Sequence, residues 1–344
     1  LENLEAHFFL PEAVGHLQRV LEIRPEAIAY DLHPDYFSTQ WALSQKGLPL
    51  IGVQHHHAHI ASCMAENHLE GDVIGIALDG TGYGTDGCVW GGELLIASYQ
   101  RFGRAAHLEY VPLPGAEAAI REPWRMAVSY LHHHFGAEFL NLDIPFVQGL
   151  DKEKVRVMLR AMERNINSPL TSSCGRLFDA VAALAGIRQQ VNYEAQAAIE
   201  LEMVMDHANH EPGYEVGIVQ ENGKLILRTA PLFRELVSDL ERAVPAATIS
   251  GRFHRGLVRC LKDAVELLRQ RTSLNRVCLS GGTFNNRFLL EHLSIELRSS
   301  GFQVFTHSEV PAGDGGLSLG QAMVAASRLT PTGDARAQDL EPCQ

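Results

Sequence analysis

Residues 53–59 read Val-Gln-His-His-His-Ala-His. His55 and His59 stand four apart, so on a helix their rings leave one face and can share a metal ion; imidazole suits iron and zinc alike. A solvated polar helix start is the plainer alternative, but the pair directly follows a buried-strand pattern, which puts the ligand reading on equal terms with it. Two imidazoles do not close a site, so carboxylates must come from elsewhere. Asp79, in Leu78-Asp79-Gly80-Thr81-Gly82, ends another apolar run, and its glycines free the backbone to approach an anion. Taken alone, that stretch is a hairpin turn. Asp314, in Gly313-Asp314-Gly315-Gly316, precedes a helical pattern, where capping is an ordinary duty of Asp. Two His and two Asp make a mixed nitrogen and oxygen shell with room for a phosphate or water, so a divalent metal, iron or zinc, is the expected cofactor. His132-His133-His134 follows an amphipathic segment with no buried strand before it, and is expected on the surface.

The elements that must position these residues alternate. Apolar residues at helical spacing predict a helix over 11–23, then a strand over 28–30, a helix over 37–45, a strand over 48–53 and a helix over 55–66. The same order returns near the C-terminus. Leu257, Leu261, Val265 and Leu268 mark a helix, 276–279 a strand, 286–297 a helix, 302–305 a strand and 317–326 the last helix. Ahead of this second unit, 72–100 reads as a strand over 73–78, a polar Gly-rich turn and a strand pair around 93–99. Residues 118–250 are mostly helical, with an apolar stripe at Leu177, Phe178, Val181, Leu184 and Ala185.

Duplicated units of this kind define an α/β fold of two ribonuclease-H-like lobes, as in actin, sugar kinases and chaperone ATPases, with nucleotide in the cleft between lobes. The expected organisation is lobe one over 1–70 without its leading strands, the first strands of lobe two over 71–117, a helical insertion over 118–250, the rest of lobe two over 251–330 and a C-terminal tail over 331–344. A pseudo-twofold axis between lobes would set Asp314 across the cleft from His55 and His59. Gly80, Thr81 and Gly82 occupy the nucleotide hairpin of such a fold. Ser280-Gly281-Gly282 ends a strand and opens a helix, a junction that offers free N–H groups to an anion or lets a base lie on backbone. Asp179, in Gly175-Arg176-Leu177-Phe178-Asp179, lies on the polar side of the stripe and could hold ribose hydroxyls; an exposed helical Asp is the plain alternative.

With 29 Lys+Arg against 41 Asp+Glu the net charge is −12. That balance repels phosphodiester backbones, so nucleic acid is not an expected partner. The six cysteines form no Cys-x-x-Cys pair and no apolar run reaches a membrane span, so a cytoplasmic protein with reduced thiols and no membrane partner is expected.

Taken in order, His55-His56-His57-Ala58-His59, Asp31-Leu32-His33-Pro34-Asp35-Tyr36, Leu78-Asp79-Gly80-Thr81-Gly82, Arg121-Glu122-Pro123-Trp124-Arg125, Gly175-Arg176-Leu177-Phe178-Asp179, Ser280-Gly281-Gly282 and Gly313-Asp314-Gly315-Gly316 make the chain resemble the C-terminal transferase region of the HypF carbamoyltransferases of nickel-iron hydrogenase maturation. More distantly it is similar to O-carbamoyltransferases and to tRNA threonylcarbamoyladenosine transferases. The resemblance implies that His55, His59, Asp79 and Asp314 hold the metal, while Gly175, Asp179, Gly281, Gly282 and Asn286 surround the adenosine of ATP or carbamoyl-adenylate. It implies two partners: upstream HypF domains, absent from this sequence, that make carbamoyl-adenylate, and HypE, whose C-terminal cysteine thiol accepts the carbamoyl group on its way to a cyanide ligand. Two other readings compete with this transfer half. One is a tRNA-modifying transferase, against which the acidic balance argues; the other is a non-catalytic module that binds nucleotide and partner.

Overall fold

The computed structural model describes residues 4–208 and 211–329, so the tail expected over 331–344 lies outside the described residues. The first unit runs α1 (Leu4–Val20), β1 (Ile28–Asp31), α2 (Phe37–Ser44), β2 (Leu50–Val53) and α3 (His55–Glu66). β1 and β2 pair in parallel, with Asp31 opposite Val53, so both strands end at one level, where α3 begins. The Gln54 side chain caps α3 by accepting from the His57 N–H at 2.9 Å. Its amide also donates to the Tyr83 carbonyl at 3.0 Å, tying the helix start to the next strand.

That strand, β3 (Val73–Tyr83), forms an antiparallel meander with β4 (Val89–Ala97) and β5 (Phe102–Leu108). The Gly-rich turn expected after residue 78 is not the turn. Asp79 to Gly82 lies inside β3, at a shift of register between Leu78 and Gly82, and the chain reverses at 84–87, where the Gly87 N–H donates to the Gly84 carbonyl. Next come β6 (Val111–Pro112), α4 (Glu117–Arg121), α5 (Pro123–Phe135), α6 (Pro145–Gln148), α7 (Lys152–Glu163), β7 (Leu170–Thr171), α8 (Cys174–Leu184) and α9 (Gln196–Met203). The hairpin β8 (Gly217–Glu221) and β9 (Lys224–Arg228) then adds to the main sheet, β9 pairing in parallel with β5. After α10 (Ala230–Glu241), the long α11 (Ala246–Thr272) runs across residue 250, where a boundary was expected. The second unit closes with β10 (Arg276–Ser280), α12 (Arg287–Ser299), β11 (Gln303–Phe305) and α13 (Leu317–Leu329).

The main sheet has the order β11-β10-β3-β4-β5-β9-β8. Along β3 successive side chains alternate between its faces. Ile74, Ile76 and Leu78 join the large core with Leu177, Phe178 and Val181 of α8. Val73 and Ala77 face the other way and pack with Leu95, Cys278 and the α3 residues Ile60, Cys63 and Met64. The same alternation delivers Asp79 to the α3 face. Helix on strand, repeated in two units, makes the molecule a mixed α/β protein of the actin and ribonuclease-H kind. The last helices of the units, α3 and α13, meet through Ala58, Ala61 and Val324. Gly320 makes that approach possible, since a Cβ there would lie 1.9 Å from the Ala58 carbonyl oxygen. All five described cysteines are free, and among the described residues no helix is long and apolar enough to cross a membrane.

Gly320→Ala should push α13 off α3 and lower stability by about 1–3 kcal/mol or more. Gly103→Ala, where an added Cβ meets nothing within 4 Å, should leave the denaturant midpoint nearly unchanged. Equal midpoints for the two variants would contradict the packing described.

Candidate functional site

α3 projects His55 and His59 from one face toward the end of β3. His55 Nε2 lies 3.2 Å and His59 Nε2 2.9 Å from the same oxygen, Asp79 Oδ2. Asp314, in the loop before α13, brings its Oδ1 to 3.6 Å from both Nε2 atoms. One ligand atom from each of these four residues lies within 4.8 Å of the others. His55, His59 and Asp79 are buried, whereas the Asp314 side chain is 70 % exposed, so the cluster is walled on the protein side and open on one. Two imidazole nitrogens and two carboxylate oxygens converging with an open side fit a divalent transition metal that keeps room for a further ligand.

The electrostatics point the same way. Burial disfavours the charged form of His55, but hydrogen bonds to Asp31, Asp314 and Asp79 outweigh it and raise its pKa well above the ordinary value. His59 is raised against burial by Asp314 and Asp79. Burial would push Asp79 up; the two imidazoles instead hold it well below the usual carboxylate range, and they lower Asp314 likewise. The carboxylates thus create a negative potential that attracts positive charge at the Nε2 atoms, whether proton or metal.

The sequence reading had no role for Asp31. Its Oδ2 lies 2.8 Å from His55 Nδ1, which fixes the tautomer that leaves Nε2 free for a ligand. The available signal was an acid ending a strand parallel to the one that leads into the histidines. His56 and His57 are buried but point elsewhere. His56 Nδ1 faces the Gln54 amide, and burial lowers its pKa to about 3; His57 Nε2 sits 2.6 Å from the Ser98 carbonyl, and burial lowers its pKa to about 4.

Beside Asp79 the main chain itself forms the wall. The Gly80 N–H donates to Asp79 Oδ1 at 2.8 Å, and Ser173, the cap of α8, donates its hydroxyl to the Asp79 and Gly80 carbonyls. A Cβ on Gly175 would lie 2.9 Å from Gly80 Cα, and one on Gly282 would lie 3.1 Å from Asp79 Oδ1. Gly281, at φ +103°, donates its N–H to the Ala312 carbonyl, and a Cβ there would strike the Leu78 carbonyl oxygen at 2.2 Å. Thr81 is half-buried beside them, while Gly82 is closed off by the rings of His55 and His56. Asp179 is not the exposed helical acid of the plain alternative: it is 2 % exposed, and burial raises its carboxyl to about 6 although Arg176 opposes this. Arg176 Nη1 is 2.7 Å from Asp179 Oδ2, yet neither atom has a well-aligned hydrogen bond and Arg176 Nε has none. The two buried charges offset each other as an ion pair. Asn286, expected beside the adenosine, caps α12 with Oδ1 through the Leu289 N–H, and its Nδ2 faces His254 Nε2 at 2.9 Å.

The second histidine run differs from expectation. His133 is exposed, but the His134 side chain is buried, with Nε2 3.0 Å from Thr229 Oγ1, because the β9–α10 junction covers that end of α5. Both rings approach Glu109 at 3.6 Å. Glu109 is already engaged by the Thr229 N–H and hydroxyl and by Arg228, so a second cation has no free carboxylate there.

The duplicated fold, with a His-x-x-x-His helix of one unit set against a carboxylate within β3 and one in the turn before α13, places the chain among Kae1-like transferase domains. Residues 75–321 match the family described as "Carbamoyltransferase, Kae1-like Domain, second subdomain", and residues 1–66 match "HypF Kae1-like domain". The chain is 39 % identical over 343 residues to carbamoyltransferase HypF2 of Cupriavidus necator, an alignment that takes in 93 % of this chain and 42 % of that protein. It is 41 % identical to a carbamoyltransferase HypF homolog of the same organism, covering 93 % of this chain and 83 % of the relative. A crystal structure of full-length HypF in a phosphate- and nucleotide-bound form superposes with a TM-score of 0.91 at 43 % identity, over 96 % of this chain and 51 % of that one. The chain belongs to the HypF carbamoyltransferase family, and it spans about half or less of the length of HypF2 and of that solved HypF.

His55→Ala or His59→Ala should abolish stoichiometric metal binding while His133→Ala retains it, as elemental analysis of the purified proteins will read. Because a metal must displace protons that the carboxylates hold on His55 and His59, apparent affinity should keep rising with pH through neutrality, with net proton release on metal addition. An affinity that is flat between pH 6 and 8 would contradict these ligands.

Proposed function

We propose that this chain carries the transfer half of a HypF reaction: a carbamoyl group passes from carbamoyl-adenylate to the C-terminal cysteine thiol of HypE, from which a cyanide ligand of nickel-iron hydrogenase is later made. The observation that carries the reading is the four-donor cluster lying against a main-chain surface of glycines. Family membership supports the carbamoyl chemistry, and the phosphate- and nucleotide-bound form of the HypF relative supports the nucleotide.

In this reading His55, His59, Asp79 and Asp314 hold iron or zinc, and Asp31 orients the His55 ring. When bound, the ion supplies a Lewis acid for the phosphate of the leaving group. Gly80, Gly175, Gly281 and Gly282 let the nucleotide approach backbone that side chains would block, and Asp179 accepts hydrogen bonds from ribose hydroxyls. The thiolate attacks the carbamoyl carbon, a C–S bond forms, the C–O bond to phosphate breaks, and AMP leaves with the electron pair. Nucleotide and acceptor seated over the open side of the cluster would limit competing hydrolysis of the mixed anhydride. An upstream HypF region would supply the carbamoyl-adenylate, and the site would work in the cytoplasm.

Supplying carbamoyl-adenylate and HypE to the metal-loaded protein should add one carbamoyl group to the terminal cysteine, read by mass spectrometry, and His59→Ala should lower the rate at least 100-fold. Tight nucleotide and metal binding without transfer by the wild type would sink the enzyme reading in favour of a docking module. Salt-sensitive tRNA binding would point instead to the tRNA-modifying relatives.

A further inference from the structure

Of the four clustered residues, three lie on regular elements and are buried. Asp314 does not: it sits in a three-residue Asp-Gly-Gly turn, and its side chain is 70 % exposed. Something else must hold it where His55 and His59 can share it.

The last residue of α3 reaches across to the segment that leads to this turn. Glu66 Oε1 accepts from the Ser308 N–H at 2.6 Å, the Ser308 hydroxyl at 2.8 Å and the Glu309 N–H at 2.6 Å. Glu66 Oε2 lies 2.9 Å from His307 Nδ1. On its other side, His307 Nε2 is 2.8 Å from Ser280 Oγ, and Ser280 Oγ is 3.3 Å from the Ala312 carbonyl, which also accepts the Gly281 N–H. Further along the turn, a Cβ on Gly316 would come within 3.2 Å of Ser62 Oγ on α3. Burial would raise the Glu66 carboxyl, but its four donors hold it down at about 2, so it stays an anion throughout the neutral range. Ser280, His307 and Glu66 have the order of a hydrolase triad. Ser280 is fully buried, however, and a nucleophile must reach its substrate.

We infer that Glu66, acting through His307 and Ser280, is a positioning residue that holds the Asp314 turn against the α3 histidines. The inference rests on the metal reading above. The same helix carries two nitrogen donors near its start and, at its end, the anchor for the oxygen donor that faces them, so α3 sets both sides of that contact.

Zinc affinity of the purified chain, measured by competition with a chromophoric chelator, tests this without reference to catalysis. Glu66→Ala should weaken zinc binding about 10–100-fold, the range for residues that support metal ligands. Glu66→Gln keeps an oxygen for Ser308 and Glu309 and should recover most of the loss. In a double-mutant cycle, Glu66→Ala/Asp314→Ala should bind no more weakly than Asp314→Ala alone, because the tie acts only through Asp314. Losses that add, or wild-type affinity in Glu66→Ala, would overturn the inference. If Glu66→Ala does not fold, the same cycle run with Ser280→Ala, expected to lose affinity several-fold, decides it in the same way. Wild-type zinc affinity in His55→Ala would instead locate the failure in the metal reading.

Discussion

A carboxylate taken out of water without a partner costs several kcal/mol, and Asp79 is buried with two imidazoles facing one oxygen and the Gly80 N–H donating to the other. Those imidazoles are buried as well, and His55 is in turn held by Asp31. The charges of this set offset one another, and three elements deliver them: β1 carries Asp31, α3 both histidines and β3 Asp79. β3 must alternate so that residue 79 falls on the same face as Val73 and Ala77. α3 must start immediately at the end of β2, and β1 must end level with it. The rest of the architecture satisfies those three requirements at once.

The duplication divides the labour unevenly. Equivalent places at the starts of α3 and α13 carry histidines in one unit and an Asp-Gly-Gly turn in the other, so a symmetric scaffold yields an asymmetric ligand set. The two helices lie close enough that Gly320 is required, and that closeness lets side chains from both units reach a common point.

Much of this was legible in the sequence. The helix, strand, helix, strand, helix order recurs with clear periodicities, and His55 with His59 at the end of an apolar run announced both their face and their partnership. The strand over 73–78 was also readable, although its unbroken apolar run does not tell which face Asp79 takes. What could not be read was tertiary. The Asp79–Gly82 stretch has turn composition, yet cross-strand pairing with β4 overrides that local preference and extends the strand to Tyr83. His134 has the neighbours of a surface residue and is covered only by a segment almost a hundred positions later. Asp179 was legible as a polar-face residue that could hold ribose hydroxyls, but not its burial, because nothing in a helical pattern tells that both faces of α8 are enclosed. Glu66 reads as a solvated helix end, since its partners are some 240 residues away.

The glycine wall beside Asp79 has a consequence for how such a site can change. Where Gly80, Gly175 and Gly282 crowd together, no side chain is available to be exchanged for another. At Gly175 and Gly281 a substitution adds atoms where backbone already sits, so mutation there can remove shape from this surface far more easily than it can add a new chemical preference. A wall of this kind is insensitive to gradual tuning: variation in what the protein accepts must arise at its rim, where half-buried residues such as Thr81 still have a side chain to vary.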